Sequence, residues 1–137
     1  MSEAFTVDAS VFVNAFSPTE AGSEQSWRFL ATLFDADAPI FVPTLVLVEV
    51  VAALARKQNN TGLALNWMEE IQRLSGLTFI ALDDALAQDA AELAARHRLR
   101  GSDAVYVAVA RRFGATLVTL DAEQGERAGA VVKVRRL

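Results

Sequence analysis

The sequence predicts an α/β protein, a three-layer α/β/α sandwich on a mainly parallel sheet of four to five strands. Three observations carry this. Short apolar runs rich in β-branched residues alternate with longer segments of helical period, as in strands joined by helical crossovers. The runs at residues 5–7, 40–42 and 116–120 read as buried strands, which parallel sheets covered on both faces require. The chain has 137 residues, 53% hydrophobic and 22% charged, enough for one ordinary core and far from a disordered composition. A single domain over residues 1–137 is expected, without repeat or linker.

Taken in order, residues 5–7 form a first strand ending at Asp8, and residues 20–34 have helical spacing through Trp27, Leu30, Ala31 and Phe34. Residues 40–42 form a second strand. Pro43 and Thr44 open an apolar helix over residues 44–57, which reads as buried, and Asn59-Asn60-Thr61-Gly62 separates it from another helix reaching about Leu74. Ser75-Gly76 stops that helix, and residues 77–82 are strand-like. Residues 84–98 form an alanine-rich helix with Leu86, Ala90, Leu93 and His97 near one face, a section that Gly101 ends. Ser102 is the expected N-cap of a helix over 103–113 and Gly114 its C-terminal stop. Residues 116–120 form a buried strand ending at Asp121, and residues 131–134 a last strand.

The absence of cysteine excludes disulfides and thiolate zinc sites, so any metal must use oxygen donors or the single histidine, His97. No basic region followed by an apolar stretch stands at the N-terminus, and residues 39–55 are too interrupted for a membrane span; a cytoplasmic protein without membrane association is expected. A net charge of −4 argues against a nucleic-acid partner unless the acids are concentrated in one place. Four carboxylates in a metal site would leave the remainder neutral, and bound divalent cations would draw phosphate to it.

Glu49 raises that possibility. It interrupts the apolar run 45–54, and its helical neighbours Leu45, Val46, Ala52 and Ala53 cannot neutralise it. A buried carboxylate must be protonated, paired with a distant cation or bound to metal, and an arginine pair weighs about equally with a metal site. Ligands of open α/β sheets bind beyond the carboxyl ends of the strands, where Asp8 and Asp121 lie. Asp103 heads the helix that feeds the strand before Asp121, and Glu49 follows the second strand by about a turn. Each of these aspartates has a local explanation when taken alone: Asp8 as the cap of a turn at 10–14, Asp103 as a first-turn acid, Asp121 as a turn residue. Together with Glu49 they are expected, from topology, on one rim. Hard oxygen ligands select Mg²⁺ or Mn²⁺, and two ions about 4 Å apart would suit phosphodiester hydrolysis by in-line attack of water.

Val7-Asp8-Ala9-Ser10, Glu49, Leu99-Arg100-Gly101-Ser102-Asp103-Ala104 and Leu117-Val118-Thr119-Leu120-Asp121 together resemble PIN-domain ribonucleases. Length and order are most similar to VapC-type toxins of type II toxin–antitoxin systems, over essentially the whole chain. The resemblance implies that Asp8, Glu49, Asp103 and Asp121 bind Mg²⁺ (or Mn²⁺) directly or through water, with Ser10 and Thr119 supporting them. It also implies an RNA substrate, a cognate antitoxin and a homodimer. Arg96, Arg98 and Arg100 form a basic stretch before Asp103 that could hold RNA phosphates, although cations are also favoured at a helix C-terminus. His97 shares a register with Leu93 and Ala90 and is read as structural. Two rival functions stand beside this one: a PIN-like module that binds RNA or protein without cleavage, and a phosphoacceptor domain using Asp83-Asp84 with Lys57 or Lys133.

Overall fold

The computed structural model describes residues 3–137. Strands β1 (Phe5–Val7), β2 (Ile40–Pro43), β3 (Leu77–Ile80), β4 (Thr116–Thr119) and β5 (Val134–Arg136) form one sheet in the order β3-β2-β1-β4-β5. Every pairing is parallel, and β1 meets β4 with Val7 opposite Val118. Val7, Ile40, Val42, Leu117 and Val118 are fully buried, as expected of strands covered on both faces.

The connections carry seven helices among the described residues: α1 (Ala9–Ala15), α2 (Ser23–Asp35), α3 (Leu45–Gln58), α4 (Thr61–Arg73), α5 (Asp84–His97), α6 (Gly101–Phe113) and α7 (Ala122–Ala128). Helix α1 packs on α2 and α3, and α3 on α4; α5 packs on α6, which crosses β2, β1 and β4. The α/β/α architecture is therefore the one the alternating pattern predicts.

Several boundaries differ from the sequence expectation, each for a local reason. Helix α2 starts at Ser23 rather than residue 20, because Gly22 takes a left-handed φ of 81° and the Asn14 amide holds the preceding turn, donating to Glu20 Oε1 and the Ala21 carbonyl. Ser102 is not the cap of α6. That helix begins at Gly101 with Arg100 in the N-cap position, so Ser102 lies inside the first turn. The last strand pairs over Val134–Arg136 and not 131–134, its register set by Leu117–Thr119. Helices α1 and α7 have seven residues each, too short for a helical period to show in sequence.

Helix α3 also corrects the expectation of a buried helix. Only Val46, Val50 and Leu54 are buried, a stripe at four-residue spacing, while Val48 is 66% exposed. An all-apolar sequence conceals which side faces the core. Glu49 lies off the buried stripe, on the side turned toward the carboxyl ends of β1 and β4.

Candidate active site

The strand order defines a crevice. From β1 the chain runs to β2 and β3 on one side, then returns to place β4 and β5 on the other, so the segments leaving β1 and β4 diverge. This is the topological switch point at which open parallel sheets place their ligands. Asp8 immediately follows β1 and Asp121 follows β4 by two residues, while α3 and α6 bring Glu49 and Asp103 to the same rim. The charges of Asp8 and Asp103 both act on Glu49, and those of Asp8 and Asp121 on Asp103, so the four acids share one electrostatic environment.

Asp8 is the most buried of the four, at 7% exposure. Ser10 Oγ donates to its Oδ2 at 2.6 Å, and Thr119 Oγ1 lies 3.2 Å from the same oxygen. Both hydroxyls are fixed in turn: Ser10 Oγ accepts from the Leu120 N–H at 3.2 Å, and Thr119 Oγ1 from the Asp121 N–H at 3.0 Å. Burial pushes the Asp8 carboxyl above its usual range, against the lowering effect of these hydroxyls. Asp8 does occupy the N-cap position of α1, but its side chain is tied to hydroxyls of two elements, not only to a local turn.

Glu49 has the partner that its sequence environment demands, and it is not an arginine. Tyr106 Oη, from the fully buried Tyr106 of α6, donates to Glu49 Oε1 at 2.7 Å. Burial first, then the charges of Asp8 and Asp103, raise the Glu49 pKa, while Tyr106 and the Ser102 hydroxyl oppose the rise. Burial and the facing carboxylate push the Tyr106 phenol far upward, so it stays protonated and acts as a donor. Tyr106 and Ser102 were missed in sequence, since a tyrosine within Val105-Tyr106-Val107 reads as core.

Asp103 and Asp121 share a cation. Arg100 Nε lies 3.1 Å from Asp103 Oδ2 and its Nη2 2.6 Å from Asp121 Oδ2. Burial raises the Asp103 pKa despite Arg100. Asp121 Oδ1 caps α7 by accepting from the N–H groups of Glu123 and Gln124 at 3.0 and 3.1 Å, so the turn reading and the rim position are both observed. Of the other two arginines, Arg96 stands apart, paired with Glu92 on the surface of α5, while Arg98 closes that helix in a left-handed conformation, its carbonyl accepting from Arg127, and lines a small cleft with Arg100 and Asp103. Of the groups a phosphoacceptor domain would use, Asp83 caps α5, Lys57 pairs with Glu20 and Lys133 with Glu3.

Whether this rim suits a metal follows from its donors. They are all oxygens, burial holds the Asp8, Glu49 and Asp103 carboxyls above their usual range, and a guanidinium already bridges Asp103 and Asp121, which together fit a hard divalent cation. Among the described residues, no three His, Asp or Glu side chains form a ready-made metal cluster. Asp8 is turned to its hydroxyls, Glu49 to Tyr106, and Asp103 and Asp121 to Arg100. Such a rim suits a divalent cation that takes few carboxylates and keeps several waters better than it suits a closed cage.

The PIN domain family model matches residues 5–130. No curated protein sequence matches. Among solved structures, VapC20 of Mycobacterium tuberculosis, described as a sarcin-ricin loop cleaving toxin, superimposes with a TM-score of 0.77 at 22% identity, covering 96% of this chain and 99% of that one. VapBC2 of Rickettsia felis, bound to a promoter DNA fragment, gives 0.73 at 17% identity with 98% of each chain covered. FitAcB of Neisseria gonorrhoeae gives 0.70 at 19% identity with 95% of each covered. At these identities the likeness is one of fold. Among the described residues no helix is long and apolar enough to cross a membrane.

Proposed function

The chain belongs to the PIN domain family, and from that premise we propose that it is a metal-dependent endoribonuclease, a VapC-type toxin acting as a single domain on structured cellular RNA and neutralised by a cognate antitoxin. One observation carries the proposal: four different connections each place an acid on the rim at the switch point of the sheet, near enough for Asp8 and Asp103 to act on Glu49 and for Asp8 and Asp121 to act on Asp103. A structural explanation must account for each separately, whereas a cation site accounts for all.

Asp8, Glu49, Asp103 and Asp121 would hold Mg²⁺, or Mn²⁺, directly or through water. When bound, the cation supplies an activated water and charge stabilisation for phosphodiester hydrolysis, leaving a 5′-phosphate and a 3′-hydroxyl. The chain's own residues prepare that chemistry. Ser10 and Thr119 hold one oxygen of Asp8, fixing the plane of the carboxylate. Tyr106 anchors Glu49 from the core, so the half-buried acid keeps one orientation. Three raised pKa values mean that cation and proton compete for the same oxygens, so metal affinity increases with pH. Arg100, 71% exposed at the outer edge of the rim, can exchange its carboxylates for RNA phosphate once a divalent ion neutralises them. Arg98, which lines a small cleft with Arg100 and Asp103, extends the same cationic edge, whereas Arg96 stands apart on α5, paired with Glu92.

The antitoxin is supported by a fold neighbour described as a toxin–antitoxin complex from Klebsiella pneumoniae. A cleft of about 190 Å³ away from the carboxylates offers it an apolar seat, lined by Phe16, Trp27, Leu30, Trp67 and Ile71. Trp67 stacks on Phe16 at 3.9 Å and Trp27 is half exposed, large apolar surface for a lone chain to leave in water. Homodimerisation and residence in the cytoplasm complete the reading.

The test is to map new 5′-phosphate ends in total RNA from the native host incubated with the purified chain and Mg²⁺ or Mn²⁺, with chelator and Glu49→Gln as controls. Discrete cuts lost in both controls are expected. Absence of cuts from folded, inhibitor-free protein transfers the assignment to a non-cleaving RNA- or protein-binding module.

A further inference from the structure

Thr119 Oγ1 presents a hydrogen-bond conflict at the centre of the rim. It lies 3.2 Å from Asp8 Oδ2 and 2.8 Å from Gln124 Oε1, and it accepts from the Asp121 N–H at 3.0 Å. A hydroxyl has one proton to donate and two lone pairs to accept with, so Thr119 cannot donate to both the carboxylate and the amide oxygen. Close by, the Gln124 side chain is 2% exposed and its Nε2 has no partner. An N–H group buried without an acceptor is costly and rare.

One change removes both difficulties. The oxygen and nitrogen of a glutamine amide are nearly the same in shape, and their placement is decided by the surrounding hydrogen bonds. Turning the amide by half a rotation puts Nε2 against Thr119, where it donates into the vacant lone pair. Thr119 then accepts from Gln124 and from the Asp121 N–H, and its only proton goes to Asp8. The carbonyl oxygen takes the unpartnered place, which a buried acceptor tolerates better than a donor. The backbone leaves Gln124 little freedom to move away. Its N–H is held by Asp121 Oδ1, and the N–H of the next residue, Gly125, donates to the Asp121 carbonyl at 3.0 Å.

We propose that Gln124 is a positioning residue of the carboxylate rim: its amide N–H donates to Thr119, which commits the Thr119 hydroxyl to Asp8. The role in metal binding rests on the nuclease reading above; the orientation of the amide does not. The chain Gln124–Thr119–Asp8 runs from the core of the β4–α7 connection to the most buried acid, as outer groups orient metal ligands elsewhere.

Two measurements on the full chain test this. In the ¹⁵N-labelled protein, the Gln124 side-chain NH₂ is expected to exchange slowly and to show nuclear Overhauser contacts to the Thr119 methyl group. An NH₂ without those contacts means that the carbonyl faces Thr119 and overturns the proposal, whatever the protein's activity. For the second, Mn²⁺ affinity is measured calorimetrically for the parent, Gln124→Met, Thr119→Val and the double variant, each first shown to keep the parental spectrum. Gln124→Met and Thr119→Val should each weaken binding roughly 10-fold, and the double variant no more than Thr119→Val alone. Additive losses, or parental affinity in Gln124→Met, overturn the positioning role. A parent that binds no Mn²⁺ overturns the metal-nuclease reading and with it that role, while the amide orientation is still decided by the first measurement.

Discussion

Replacing Glu49 by Gln should make the protein more stable and less active. The substitution keeps the volume of the side chain and leaves a carbonyl oxygen to accept from Tyr106 Oη, now 2.7 Å from Oε1, so packing and the hydrogen bond survive. What disappears is a half-buried negative charge facing those of Asp8 and Asp103. Relief of the buried charge, and with it of the like-charge repulsion, at a site open to solvent screening is worth about 0.5–1 kcal/mol, or roughly 2–5 °C in Tm for a chain of this size. The sign depends on pH. Because the folded pKa of Glu49 lies above its unfolded value, the parent has the full stability of the protonated carboxyl below the unfolded value and loses it as pH rises through the folded one. The advantage of Glu49→Gln is therefore expected to be negligible near pH 3.5 and greatest at pH 8. The assay is thermal unfolding of both proteins in chelator across that range, repeated with Mn²⁺, which should stabilise the parent by about 2.7 kcal/mol at one hundred times its Kd and the variant far less. RNA cleavage should fall by more than the roughly 10–100-fold typical of residues that only support a metal ligand. A variant that is less stable than the parent at pH 8, or a difference that does not change with pH, would refute the argument.

Tyr106→Phe removes the donor to Glu49 while preserving the ring in the core, and water can reach the half-buried acid; urea unfolding should show a loss of about 1 kcal/mol, with weaker Mn²⁺ binding. Ser10→Ala deletes the 2.6 Å bond to Asp8 and the acceptor of the Leu120 N–H, and should cost about 1–2 kcal/mol in the same measurement. Arg100→Ala breaks two ion pairs of an exposed guanidinium and should change stability by less than about 0.5 kcal/mol, while RNA affinity falls and its logarithmic salt slope shrinks by roughly one. Arg96→Ala, which loses only a surface pair with Glu92, serves as its comparison and should leave the fold unchanged by circular dichroism.

The residues themselves determined the architecture and most of the rim. Buried strands such as Thr116–Thr119 and longer helical segments alternate strongly enough in sequence to require a covered parallel sheet, and the acids at the strand ends are visible because strand ends are. Glu49 is legible by contradiction, a charge within an apolar run. Its partner was not, because Tyr106 lies 57 residues away and only the placement of α6 across β2 and β1 brings the phenol to the acid. The same holds for Arg100, whose reach to Asp121 spans 21 residues, and for Gln124, an unremarkable polar residue until α7 closes on β4 and buries it. Short helices and caps also stayed hidden, since seven residues display no period and Ser102 looks like a cap wherever a helix follows it. Sequence fixes local preference and the pattern of burial; tertiary packing alone decides which side of α3 faces the core and which distant donor each buried carboxylate meets.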